Sequence, residues 1–373
     1  MLVATAWLFC VARSSVAQQR SFTPPAPSPQ TQSQGRSGST LTLPANRHQA
    51  NENSYLPPAS AQPGQALTVA PHELRRQMGY EQVTVTVTDQ QGRYRTGLNR
   101  DDFKLYVDGK QRPIQFFRQD LNTPVSVGIL VDTSGSMTPK LPQARAAIRE
   151  FVNDLNARDD VFLFAFSDQP FLLQPFTTDH SLVIGRLSLL SAYGATALFD
   201  TINDGLLMLR HGRWDKKALL VVTDGMDNDS QASVQEVIGQ ARRMGVLVYS
   251  IGIGQSNIAP RASVSFFGLS AGDNDEVDAR TLQTLSSETG ARTFILREIG
   301  DGMAMRQDCA AISNELREQY TLGFVAPDAA RGGYRSIRVD ASGHPGDTVR
   351  VRKGVTVNNS TESASNADPN PPY

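Results

Sequence analysis

The chain has 373 residues, with 36 Lys or Arg against 37 Asp or Glu, for a formal net charge of −1. That length accommodates two or three domains of ordinary size. With no basic excess, neither nucleic acid nor an anionic membrane surface is an expected partner.

Residues 2–12, LVATAWLFCVA, form an apolar segment about as long as a signal-peptide core and too short to span a bilayer. Ser15-Val16-Ala17 follows with small residues where a signal peptidase reads. Segment 1–17 is expected to direct export to a periplasmic, cell-surface or secreted location, leaving no integral membrane span once removed. One departure is that no Lys or Arg precedes the apolar run. Cys10 would leave with this segment, so Cys309 alone remains and no internal disulfide is expected. Met305, Ile312 and Leu316 stand at helical spacing from Cys309, which predicts a buried helical thiol.

Residues 18–64 are rich in Pro, Ser, Gln, Asn and Gly, a composition that buries too little apolar surface to offset chain entropy. They are expected to be a disordered linker, and residues 358–373 a disordered tail. Between residues 65 and 120 the pattern turns to short strands. Val83, Val85 and Val87 alternate with threonines, Phe103–Val107 runs into the turn Asp108-Gly109, and Ile114–Phe117 follows. A one-turn helix is expected over Leu98–Phe103, and the whole reads as a small β-sandwich-like domain.

From Val125 the rhythm becomes strand–helix alternation. Strands are predicted at 125–131, 161–166, 218–222 and 246–251, and helices at 141–155, 198–209, 234–244 and 282–288. Leu141, Ala144, Ile148, Phe151 and Leu155 keep one helical face. Continuous apolar strands joined by helices predict an α/β, doubly wound, mostly parallel sheet over residues 123–300. Residues 301–357 are expected to supply a helix and strands that pack with the β domain.

Ligands of such sheets collect at the carboxyl ends of the strands. Three polar loops fall there: Asp132, Ser134 and Ser136; Thr196 in YGATAL; and Asp224 closing LLVVTD. Two carboxylates and three hydroxyls make an all-oxygen set suited to a hard divalent cation, first of all Mg2+, with Mn2+ or Ca2+ as alternatives.

The run Asp132-Thr133-Ser134-Gly135-Ser136 resembles the D-x-S-x-S motif of von Willebrand factor type A domains. Gly194-Ala195-Thr196 and Thr223-Asp224-Gly225 stand where that family places its remaining metal-site threonine and aspartate. The resemblance implies a metal-ion-dependent adhesion site. Ser134, Ser136 and Thr196 would bind the cation, with Asp132 and Asp224 acting directly or through water. It also implies a non-enzymatic module whose partner is a protein presenting an acidic residue. The segments on either side resemble those of exported bacterial proteins that contain this domain.

The alternative is a metal-dependent hydrolase at the same residues. Against it, no His or Glu in these loops offers a general base. An aspartic-protease reading fails because Thr223-Asp224-Gly225 has the wrong order for a second acid loop. Asp227, Asn228 and Asp229 read as a solvated turn, and Asp273, Asp275, Glu276 and Asp278 as a solvated insertion. His180 and His211 read as surface residues. Thr138-Pro139 is expected to open the helix after the first motif.

Overall fold

The structure, a computed structural model, describes residues 79–224, 227–256, 276–296, 302–327, 333–341 and 346–357. The expected signal segment, linker and tail lie outside them, as do Asp273 and Asp275 of the acidic run. Among the described residues no helix is long and apolar enough to cross a membrane.

The first strands are β1 (Tyr80–Thr88), β2 (Phe103–Val107), β3 (Lys110–Arg112) and β4 (Phe116–Gln119). A one-turn 3-10 helix, Arg100–Asp102, leads into β2. Asp108 and Gly109 take φ of 49° and 74°, the left-handed pair that a two-residue hairpin between β2 and β3 requires. The strand expected at Ile114–Phe117 begins later, at Phe116. Its register is set by a distant partner, with Phe116 opposite Gly323 and Gln119 opposite Tyr320.

Next come β5 (Ser126–Asp132), α1 (Leu141–Asp154), β6 (Asp160–Phe166), β7 (Pro170–Thr177), α2 (His180–Arg186), α3 (Leu198–Leu209) and β8 (Lys217–Thr223). They are followed by α4 (Val234–Met244), β9 (Leu247–Ile253), the two-residue strands β10 (Gln255–Ser256) and β11 (Glu276–Val277), α5 (Ala279–Thr289), β12 (Thr293–Leu296) and α6 (Gly302–Glu315). The main sheet runs β12-β9-β8-β5-β6-β7, parallel except for the β7 edge. This is an α/β fold with a mostly parallel sheet covered on both faces.

Alternation along the strands decides what each face buries. Val127, Ile129 and Val131 enter a core with Leu141, Ile148 and Phe151 of α1 and with Met305, Cys309 and Ile312 of α6. Leu130 enters the opposite core with Phe162, Leu198, Ile202, Val237 and Leu282. The buried Cys309 thus sits where its spacing put it.

Several local expectations are corrected. Helix α1 starts at Leu141, with Lys140 as its N-cap, two residues after the Thr138-Pro139 pair; Pro142 sits in its first turn. Helix α5 extends the expected 282–288 at both ends, because Asp278 caps it and accepts from Thr281 N–H at 3.0 Å. Asp278 is therefore a helix cap, not part of a solvated run. His180 is half-buried, with Nε2 3.0 Å from the Asp159 carbonyl. Helix α6 lies against α1 in the α/β core and also meets the β domain, where Tyr94 Oη donates to the Ala311 carbonyl at 3.1 Å and Arg350 pairs with Glu315 at 2.6 Å.

The chain ends, among described residues, in β13 (Gln319–Val325), β14 (Gly333–Ala341), β15 (Thr348–Val351) and β16 (Gly354–Val357). These interleave with the first four strands in two antiparallel sheets, β15-β1-β13-β4 and β16-β14-β2-β3. Their shared core holds Val85, Leu105, Tyr320, Phe324 and Val355. Residues 348–357 thus form two strands in different sheets. Between them the Arg352 side chain turns inward and donates to the Gln82 carbonyl at 2.7 Å.

Candidate functional site

Strand order reverses at β5. The chain adds β6 and β7 on one side, then returns to add β8, β9 and β12 on the other. The carboxyl ends of β5 and β8 therefore flank the switch point, where open α/β sheets bind ligands. Asp132 is the last residue of β5, and Asp224 follows β8 directly.

Asp132 is fully buried. Its Oδ1 accepts from Ser134 N–H at 2.8 Å and its Oδ2 from Thr223 Oγ1 at 2.6 Å. Burial pushes its carboxyl up to about 6; Thr223 and Ser134 oppose the shift by hydrogen bonding, and the Asp224 charge adds to it. A nearby cation would offset both upward effects.

After Asp132 the chain turns through a 3-10 helix, Gly135–Met137, for which Ser134 is the N-cap without using its side chain as a cap. Its hydroxyl is thereby left for the site: Ser134 Oγ and Ser136 Oγ lie 3.1 Å apart. Ser136 Oγ donates to Asp224 Oδ1 at 2.9 Å. Asp132, Ser134, Ser136 and Asp224 thus form one hydrogen-bonded group.

Thr196 is held by its backbone. Its N–H donates to Asn228 Oδ1 at 3.0 Å, and its carbonyl accepts from Asn228 N–H and Asp229 N–H at 3.1 and 3.2 Å. Its loop meets the first motif through Gly135 N–H to the Gly194 carbonyl, 3.2 Å, and Tyr193 N–H to the Thr133 carbonyl, 2.7 Å. Gly194 has φ +76°, and a Cβ there would lie 2.6 Å from Asp168 Oδ1, so only glycine serves. Asp168 uses that oxygen to accept from Ala195 N–H.

The roles of four residues of this neighbourhood escaped the sequence reading. Lys140, 2% exposed, donates from Nζ to Asp224 Oδ2 at 2.8 Å. Asp227 accepts at Oδ1 from Leu198 N–H at 2.8 Å and Phe199 N–H at 3.2 Å, capping α3 immediately after Thr196. Its loop is therefore a brace for the site, where a solvated turn was expected. Thr223 orients Asp132. Ser167 follows Phe166, whose carbonyl accepts from Thr133 N–H; its hydroxyl is buried without a hydrogen-bond partner among the described residues. Asp227 carried no local signal for this role, since Leu198, whose amide it caps, is 29 residues away.

Among the described residues no three His, Cys, Asp or Glu side chains gather as a metal group. A cation here must therefore draw on hydroxyls as well as on two carboxylates. The donor set, all oxygen, fits a hard divalent ion and suits neither zinc nor copper.

Residues 126–301 match the family model for the von Willebrand factor type A domain. An uncharacterized protein of Borreliella burgdorferi is 29% identical over 146 residues, which is 36% of this chain and 42% of that protein. The match thus spans less than half of that relative's length. Among solved structures, a von Willebrand factor type A protein from Catenulispora acidiphila is 12% identical with a TM-score of 0.43, covering 75% of this chain and 74% of that one. A conserved hypothetical protein, BatB, from Bacteroides thetaiotaomicron is 20% identical with a TM-score of 0.39, covering 51% and 99%. The von Willebrand factor domain of a type V pili tip protein from Porphyromonas gingivalis is 12% identical with a TM-score of 0.39, covering 52% and 96%.

Proposed function

Because residues 126–301 form a von Willebrand factor type A domain, a type that typically mediates protein–protein interaction or adhesion, we propose that this chain is a metal-ion-dependent protein-binding module of an exported protein. Ser134, Ser136 and Thr196 would hold Mg2+ together with Asp132 and Asp224. When bound, the ion supplies positive charge and a coordination position for an acidic side chain of a protein partner.

The observation that carries this reading is the meeting of Ser134, Ser136 and Asp224 in one chain of hydrogen bonds at the switch point. Asp132 stands behind them, buried, and fixes the Ser134 backbone. Asp227 and Asn228 hold the Thr196 loop against that group. These residues bind and orient. No side chain among the five offers a general base beyond the two acids, so no catalytic step is assigned. Export rests on the apolar segment 2–12 with Ser15-Val16-Ala17 after it.

Calorimetric titration of the full chain with MgCl2 tests the reading. Native protein should bind one equivalent, and Asp132→Asn, which keeps size but removes the charge, should not. At about a hundred times the dissociation constant, Mg2+ should add roughly 2.7 kcal/mol to native stability. Proteins captured from an envelope fraction in Mg2+ should be released by chelator. Equal capture by Asp132→Asn in chelator would rule the reading out.

A further inference from the structure

Lys140 carries a charge at a place where burial and helix electrostatics both disfavour it. It is 2% exposed, and it is the N-cap of α1, so its ammonium is tied to the positive end of a helix dipole. Nζ donates to Asp224 Oδ2 at 2.8 Å and to the Ile253 carbonyl at 3.4 Å. Asp224 is thereby divided: Oδ1 faces Ser136 and Oδ2 faces the lysine. Tying α1 to the ends of β8 and β9 does not by itself call for a full positive charge. The charge has a use at the metal site.

We propose that Lys140 is a resident cation that sets the charge of the metal site, weakening its hold on a divalent ion and keeping the loaded site positive toward an acidic partner. This rests on the adhesion-site reading above. Asp132 and Asp224 together carry two negative charges, and Lys140 reduces them to one. A divalent ion then brings the group to a net single positive charge. Without the lysine the loaded group would be neutral, with no net attraction for a carboxylate beyond the open coordination position. The lysine also competes for Asp224, because an ammonium and a divalent ion near the same carboxylate repel each other.

The full chain, Lys140→Met and Lys140→Arg are each titrated with MgCl2 by calorimetry and melted with and without Mg2+. Lys140→Met should bind Mg2+ at least about tenfold more tightly. Its metal-free form should melt lower than native, since Asp224 is left buried without its counter-charge, and Mg2+ should raise its melting temperature by more. Lys140→Arg should keep near-native affinity. Acetate, as a bare carboxylate probe, should bind Mg2+-loaded native protein more tightly than loaded Lys140→Met. If Lys140→Met folds and binds Mg2+ with native or weaker affinity, the lysine is only a structural tie and the proposal is overturned. Equal acetate affinity overturns its claim about the partner. If Lys140→Met needs metal to fold, recovery at Mg2+ levels about tenfold below those saturating native protein supports the proposal, and failure at every Mg2+ level overturns it. If native protein binds neither Mg2+ nor Mn2+, the adhesion-site reading falls as well, so the two failures are told apart.

Discussion

The Asp120 carboxylate accepts the Lys216 ammonium at 3.0 Å, fastening the residue after β4 to the residue before β8. Asp120 also accepts from Arg118 Nε and from Thr321 Oγ1, each at 2.8 Å, and Lys216 donates to the Leu316 carbonyl at 2.7 Å. One buried carboxylate thus joins the β-sandwich to the α/β domain. Asp120→Asn leaves Lys216 buried without its counter-ion and should cost about 3–5 kcal/mol in urea denaturation.

The same residue predicts a pH dependence. Burial pushes the Asp120 carboxyl up, but the Lys216 and Arg118 charges outweigh it and hold it below the usual 3.8. A carboxylate with a depressed folded value stabilises above its unfolded value and loses that contribution as pH falls through the folded one. Unfolding midpoints of the native protein should therefore drop below about pH 4, and Asp120→Asn should flatten that drop. An unchanged slope in the variant would show that other carboxylates are responsible.

Asp227 caps α3 next to Thr196, so its removal should act on stability and on the site together. Asp227→Ala should cost about 1 kcal/mol in a thermal melt. Hydrogen exchange at the Leu198 and Phe199 amides should accelerate, and Mg2+ affinity should fall.

Gly128 lies where β5 passes under aromatic side chains. A Cβ there would sit 2.3 Å from Phe162 Cζ and 2.5 Å from Leu219 Cδ2. The Phe162 ring is itself wedged edge-on against Phe164 and Phe176, with centroids 5.2 and 5.0 Å away, so it has little room to yield. Gly128→Ala should destabilise by about 1–3 kcal/mol on chemical denaturation. A neutral result would mean that the core repacks freely.

Cys309 is buried between α6 and α1, and burial raises its thiol far above the usual range. A thiol reagent at pH 8 should leave the native protein unmodified for as long as it stays folded, and label it at once in denaturant. Rapid labelling under native conditions would place Cys309 at a surface that opens.

What the sequence made legible was whatever is written in local pattern. Helices α3 and α4 appear at their expected bounds, and the inward face of α1 is the stripe from Leu141 to Phe151. Two of the three polar loops fall at strand ends because apolar runs stop abruptly at Asp132 and Asp224, whereas the Thr196 loop precedes helix α3 without following a strand. Strand β7 was missed: its register against β6 shifts near Leu163, and proline stands at Pro170 and Pro175, which blurs the alternation. Lys140 was invisible for a different reason. Its partner Asp224 is 84 residues away, and nothing local marks a lysine that will be turned inward.

The interleaving of the sandwich has a consequence for how the molecule is made. Both neighbours of β1, namely β13 and β15, belong to the last part of the described chain. Thr321 and Asp120, which close this seam, are separated by 201 residues. A growing chain therefore carries β1 with two open edges until β13 and β15 have emerged. The entropy of closing so long a loop grows only logarithmically and is a modest thermodynamic burden. Its kinetic effect is larger, since strands that must wait for distant partners assemble slowly and meet neighbouring chains first. The α/β domain, whose strands all lie between β4 and β13 in the chain and need no partner outside that stretch, would be the early-folding body, and its completion brings β4 and β13 within reach of each other. The sandwich then works as a latch set last, and a chain cut short before Gln319 would leave β1 exposed to aggregation.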